Sequence, residues 1–126
     1  MQDVLIIEDN EQVRRMLETA FIREGYTVST ANHGEQALHD LTASSSPPKI
    51  IIMDLIMPVM DGWKLRKCLL EKPIWASVPV IAFSGAGVED AETTLPGVLC
   101  ILKPVSMRTL FENVARLIAQ ASAKVN

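Results

Sequence analysis

The chain has 126 residues, 48% of them hydrophobic, and a net charge of −3. That size suits one domain with a single real core, spanning residues 1–126, and the apolar share excludes a disordered chain. The acidic balance without a Lys/Arg cluster excludes an electrostatic footprint for nucleic acid, and no apolar stretch approaches the roughly 20 residues that span a bilayer.

In chain order, Asp3-Val4-Leu5-Ile6-Ile7 predicts a buried strand that runs into Glu8-Asp9. The acids at Asp3, Glu8 and Asp9 argue against a signal peptide. Val13, Met16, Leu17, Ala20 and Phe21 repeat at helical spacing, and Gly25 predicts the helix end. Tyr26 to Thr30 reads as a second, more polar strand near a sheet edge. Ala37, Leu38 and Leu41 mark a second helix, closed by Ser44-Ser45-Ser46-Pro47-Pro48.

Lys49 to Met53 predicts a third strand that runs into Asp54. Pro58 and Asp61-Gly62 predict turns before a helix with Leu65, Cys68 and Leu69 on one face, and Pro73 predicts its stop. Val78 to Phe83 reads as a fourth strand ending at Ser84-Gly85. A weak helix is expected from Val88 to Leu95, stopped by Pro96-Gly97. Val98 to Leu102 reads as a fifth strand running into Lys103-Pro104. Ser106 then caps a long amphipathic helix that carries Met107, Leu110, Phe111, Val114, Leu117, Ile118 and Ala121. Five β/α units in series predict an α/β fold, a doubly wound five-stranded parallel sheet with helices on both faces.

Ligands of such sheets bind beyond the carboxyl ends of the strands. Glu8, Asp9 and Asp54, with Ser84 and Lys103, are therefore expected to converge on one small site. Two carboxylates about 4 Å apart repel by roughly 4 kcal/mol at an effective dielectric near 20, so three of them call for a hard cation such as Mg²⁺. A lone carboxylate at the end of the central strand suits nucleophilic attack on phosphorus. Lys103 supplies a point charge for phosphate oxygens, Ser84 a hydroxyl, and Gly85 a backbone N–H that no side chain shields. His33, His39 and the charges at 14, 15, 23 and 24 read as solvated surface. Cys68 and Cys100 have no metal or CxxC spacing and read as small core residues of a cytoplasmic protein. Trp75 reads as packing, and Trp63 as cover for the start of the third helix.

On these residues the chain resembles the receiver domain of two-component response regulators, from Asp3 to about Ala121. The matching segments are Val4 to Asn10, Ile52 to Gly62 with its Asp54…Met57-Pro58…Asp61-Gly62 pattern, Phe83-Ser84-Gly85, and Leu102-Lys103-Pro104. The resemblance implies a flavodoxin-like sheet of order 2-1-3-4-5. It implies Mg²⁺-dependent acceptance of a phosphoryl group on Asp54 from a histidine kinase or histidine phosphotransfer domain, switching the binding of an unspecified downstream protein. The chain would then be a phosphoacceptor and not an enzyme in its own right. Asp9 and Asp54 would ligate Mg²⁺ directly, Ile56 through its backbone carbonyl and Glu8 through water. Ser84 and the Gly85 N–H would meet the phosphoryl oxygens, and a cis Lys103–Pro104 bond would turn the lysine amine toward Asp54.

Two features depart from the family pattern. The position three residues before Lys103 is Cys100 where an aromatic is usual, and the segment from Ser84 to Lys103 is about one helical turn short. Positions two past Asp54 and two past Ser84, which by the resemblance flank a hydrolytic water, are Ile56 and Ala86. A phosphoaspartate hydrolase would want an acid where Ile56 stands, and a flavin-binding relative would not place Glu8-Asp9-Asn10-Glu11 against a phosphate. The remaining alternatives are a receiver domain that works within a larger kinase or regulator, and a phosphorylation-independent scaffold.

Overall fold

The computed structural model describes residues 2–55, 61–84, 97–103 and 106–125, with the side chains of 84, 102, 124 and 125 excepted. Five strands, β1 (Val4–Ile7), β2 (Val28–Ala31), β3 (Ile50–Asp54), β4 (Val80–Ser84) and β5 (Val98–Leu102), form one parallel sheet of order β2-β1-β3-β4-β5. The described helices are α1 (Glu11–Arg23), α2 (Gly34–Ala43), α3 (Gly62–Leu70), a single turn α4 (Pro73–Ala76) and α5 (Met107–Val125). The order reverses between β1 and β3, which makes their carboxyl ends the switch point where such sheets open a crevice.

Period-two alternation divides the central strands between two cores. Leu5, Ile7, Ile51 and Met53 pack with Ala37 and Leu41 of α2 and Leu65 and Leu69 of α3. Val4, Ile6, Ile50 and Ile52 pack with Leu17 and Phe21 of α1 and Leu110 and Val114 of α5. Every residue of β1 and β3 is buried, which explains their near-continuous apolar sequence, whereas β2 is half-buried and lies at the edge. The Phe21 ring meets Phe111 edge-on at 5.0 Å between centroids and so ties α1 to α5.

Helix ends follow their capping residues. Asn10 caps α1, Asp61 caps α3 and His33 caps α2, each side chain accepting a backbone N–H three residues on. Gly25 follows α1 with φ of 100°, the left-handed conformation expected of a C′ glycine. Ser44 ends α2, and the Thr109 N–H approaches Ser106 Oγ at 3.4 Å at the start of α5.

Several expected boundaries shift for identifiable reasons. The second strand starts at Val28, because the Tyr26 N–H bonds to the Phe21 carbonyl and its ring leans on Phe21. The fourth strand pairs only from Val80, since Pro79 has no N–H to give the ladder. The third strand runs on to include Asp54, which registers with Phe83 of β4. Pro73 follows the end of α3 as expected but also opens α4, where a fixed φ and a missing N–H suit the first helical position. Cys68 and Cys100 are half-buried and form no disulfide, so neither sits fully in the core as expected. Trp75 is buried as expected, with the Lys72 amine over its ring, and Trp63 packs half-buried against the α2/α3 core. The helix expected from Val88 to Leu95 and the Pro58 turn lie outside the described residues.

The Asp54 strand end and α3 are held close by Gly62, whose N–H donates to the Leu55 carbonyl at 2.8 Å. A Cβ on Gly62 would fall 2.8 Å from Leu55 Cδ2 and 2.9 Å from its Cα. Leu55 is fully buried and its backbone has no room to retreat. Gly62→Ala is therefore expected to lower stability by about 1–3 kcal/mol, the usual range for overpacking, as a reduced denaturation midpoint in urea.

Candidate functional site

Three strand ends and one strand-to-helix loop build the site. Glu8 continues β1 by one more bond, its N–H donating to the Ala31 carbonyl at 3.0 Å, and is only 4% exposed. Its Oε2 accepts the Asp9 N–H at 3.0 Å. Only Glu8, Asp9 and Asn10 separate β1 from α1, so Asp9 projects at the top of the sheet and is exposed. Asp54, the last residue of the fully buried β3, is 7% exposed. Ligand oxygens of Glu8, Asp9 and Asp54 all lie within 4.8 Å of one another. Lys103, the first residue after β5, brings Nζ to 2.7 Å from Asp54 Oδ2.

The electrostatics follow from this crowding. Burial, followed by the neighbouring Asp54 charge, pushes the Glu8 carboxyl up to about 7. Burial pulls the Lys103 amine down, but the bond to Asp54 and the charges of Asp54, Glu8 and Asp9 outweigh it, leaving the amine above its ordinary value. Lys103 is thus a fixed cation against three carboxylates, one of which resists ionisation. Its side chain remains 43% exposed, so solvent reaches the site from that side.

The structure therefore brings together Glu8, Asp9, Asp54 and Lys103 as expected from the sequence. Ser84 ends β4 in backbone register with Leu102, one residue past the partner of Asp54. Ile56, Gly85 and Pro104 lie outside the described residues, and with them the expected backbone contacts and the lysine–proline peptide bond. His33 is no bystander: its Nδ1 accepts the Gln36 N–H at 3.1 Å and caps α2. Arg14 is not simply solvated, because its Nη1 donates to the Glu8 carbonyl at 3.0 Å. Arg66 on α3 is 5% exposed, and burial lowers its guanidinium's proton affinity; nothing in its sequence neighbourhood announces that burial.

Two cavities flank the sheet. One of about 430 Å³ lies between α1 and α5, lined by Val13, Met16, Leu17, Met107 and Leu110 together with Glu8 and Lys103 of the site. The other, about 540 Å³, is lined by Lys49, Arg66, Pro79 and Gly97. Lys49, Pro79 and Gly97 directly precede β3, β4 and β5, so this cavity opens at the amino ends of those strands, remote from the carboxylates, with Arg66 of α3 beside it. Among the described residues no helix is long and apolar enough to cross a membrane.

The family model described as "Response regulator receiver domain" matches residues 4–115. The regulatory protein AtoC of Escherichia coli strain K12 is 32% identical over 126 residues, 96% of this chain and 26% of that protein. A CpxR homolog of Haemophilus influenzae is 28% identical, across 100% of this chain and 54% of that protein. The chain thus spans between about a quarter and half of these relatives' length. Among solved structures, the signal receiver domain of a signal transduction histidine kinase from Syntrophus aciditrophicus superposes with a TM-score of 0.85 at 27% identity, covering 95% of this chain and 92% of that one. The receiver domain of sensor histidine kinase PA1611 from Pseudomonas aeruginosa PAO1, crystallised with magnesium in its active-site cleft, shares the fold with a TM-score of 0.83 at 24% identity over 94% of this chain and 98% of that one.

The raised Glu8 value carries a stability consequence for the cation-free protein. A carboxyl that holds its proton more tightly when folded adds stability that is complete below the ordinary value of 4.5 and lost as pH rises through about 7. In EDTA, urea denaturation between about pH 5 and pH 8 should show stability falling with pH. Glu8→Gln should flatten that slope; an unchanged slope would mean that Glu8 is not the titrating group.

Proposed function

Since the chain belongs to the response regulator receiver domain family of two-component signal transduction, we propose that Asp54 is its phosphoacceptor and that Mg²⁺ is its cofactor. The observation that carries this reading is the convergence of Glu8, Asp9 and Asp54 within 4.8 Å, with the Lys103 amine 2.7 Å from Asp54. Mg²⁺ fits the donors present: they are hard oxygens, and Asp9 is exposed where the waters Mg²⁺ retains have access. Asp9 and Asp54 would hold it directly, Glu8 through water, and Ile56 by its carbonyl. Bound there, the ion offsets the carboxylate and phosphoryl-oxygen charge.

The donor is a phosphohistidine on a histidine kinase or a histidine phosphotransfer domain. An Asp54 carboxylate oxygen attacks phosphorus, the P–N bond breaks, and the imidazole nitrogen leaves with the bonding electrons. Lys103 is already beside Asp54 and meets the new phosphoryl oxygens as a point charge, with the Ser84 hydroxyl and Gly85 N–H as further donors. The apolar cavity between α1 and α5 borders the site and presents Met16, itself 55% exposed, to the approaching donor. Cys68 and Cys100, neither in a disulfide, suit the reducing cytoplasm. The chain's role is that of a phosphorylated switch for a downstream protein, not of an enzyme with a separate substrate.

Two measurements test this. Incubated with Mg²⁺ and acetyl phosphate, the protein should gain the mass of one phosphoryl group, and Asp54→Asn or EDTA should abolish the gain. An equal gain in Asp54→Asn would sink the assignment. The second concerns lifetime. Hydrolysis needs a positioned water, and neither Ile56 nor Ala86 has a polar group to hold one. The phosphorylated form should therefore decay slowly, and Ile56→Asn or Ala86→Glu should speed the loss of phosphate by up to about 10²-fold. Unchanged decay in both variants would show that water positioning is not limiting.

A further inference from the structure

Asp9 is exposed, so packing does little to hold it, yet it must stay beside two other carboxylates that repel it. Its flanks are tied by a single residue of α1. The Arg14 backbone N–H donates to the Asn10 carbonyl at 2.9 Å, and the Arg14 Nη1 donates to the Glu8 carbonyl at 3.0 Å. One bond lies on each side of Asp9. The first belongs to the ordinary opening turn of a helix; the second depends on this side chain alone. Arg14 is half-buried, and a guanidinium donating to a carbonyl is a charge-assisted bond with fixed direction. Arg15 is the natural contrast. It carries the same charge one residue on and pairs with Glu11 at 2.8 Å in solvent.

We propose that Arg14 is a positioning residue of the receiver site: its bond to the Glu8 carbonyl clamps the Glu8–Asp9 loop in the geometry that accepts a divalent cation. The inference rests on the Mg²⁺ reading above and adds to it a residue that touches neither the ion nor the phosphoryl group. Its sign sets it apart from plain electrostatics. A positive charge near a cation site opposes binding, so removing one for its charge alone should tighten Mg²⁺. Removing a clamp should weaken it.

The experiment is calorimetric titration of MgCl₂ into the full chain and its Arg14→Met, Arg14→Lys and Arg15→Met variants at one ionic strength. Arg14→Met should bind Mg²⁺ about tenfold more weakly, the scale on which residues behind metal ligands act. Arg15→Met should stay within about twofold of the parent or bind slightly more tightly, as befits an exposed charge. Arg14→Lys keeps the charge without the guanidinium fork and should fall between parent and Arg14→Met. With acetyl phosphate, the Mg²⁺ concentration for half-maximal phosphorylation should rise in Arg14→Met by the same factor as the dissociation constant, with the rate at saturating Mg²⁺ changing far less. Equal or tighter binding by Arg14→Met overturns the clamp while leaving the Mg²⁺ reading intact. A parent that takes up no Mg²⁺ removes both. Should Arg14→Met lose its fold by circular dichroism, Arg14→Lys decides: binding indistinguishable from Arg15→Met refutes the clamp, and weaker binding supports it.

Discussion

The structure depends on forcing three carboxylates into one crevice and keeping them there. Glu8, Asp9 and Asp54 bring oxygens within 4.8 Å of one another, a repulsion on the order of several kcal/mol at an effective dielectric near 20. The fold absorbs this in three ways. It buries Glu8 until its carboxyl titrates at about 7, so that one charge is partly withdrawn near neutrality. It sets Lys103 against Asp54 at 2.7 Å, an ion pair joining the ends of β3 and β5. It also delivers the acids from strands whose burial leaves the backbone no freedom to relax apart, because β1 and β3 are buried along their whole length and adjacent in the sheet. Local electrostatic stress is sustained by packing elsewhere, which is how functional sites persist in stable folds.

This division of labour explains what could be read from the chain alone. The parallel sheet was legible because apolar runs and turn residues report burial directly, whereas its strand order came only with the family resemblance. The acids and the lysine were legible because each stands where such a run ends. What escaped is set by tertiary contact. Tyr26 has strand chemistry, but Phe21 captures its backbone and ring. Pro73 reads as a stop, yet the same missing N–H makes it a good first residue for α4. Arg14 lies in a run of helix charges that looks solvated, and its partner is a backbone carbonyl, which leaves no mark in any side-chain pattern. Arg66 is harder still: a long cation next to Leu65 reads as exposed, and only the assembled fold buries it.

The site also bears on how a phosphoryl group would be sensed. Lys103 follows β5 directly, so any new oxygen that draws its amine away from Asp54 acts on the end of that strand. Along β5, Leu99 and Ile101 face the α1/α5 core, while Val98 and Cys100 face the α2/α3 core. In relatives with an aromatic at the Cys100 position, a ring could report the change by moving between two well-separated rotamers. Cys100 is half-buried against its core and has neither the volume nor the reach for that movement. A side chain that displaces little when it rotates cannot hold two packings of different energy, and a switch needs both. The contact at the end of β5 that a phosphoryl group would meet is instead the Lys103–Asp54 ion pair at 2.7 Å, the same one that sets a cation against the acidic crevice.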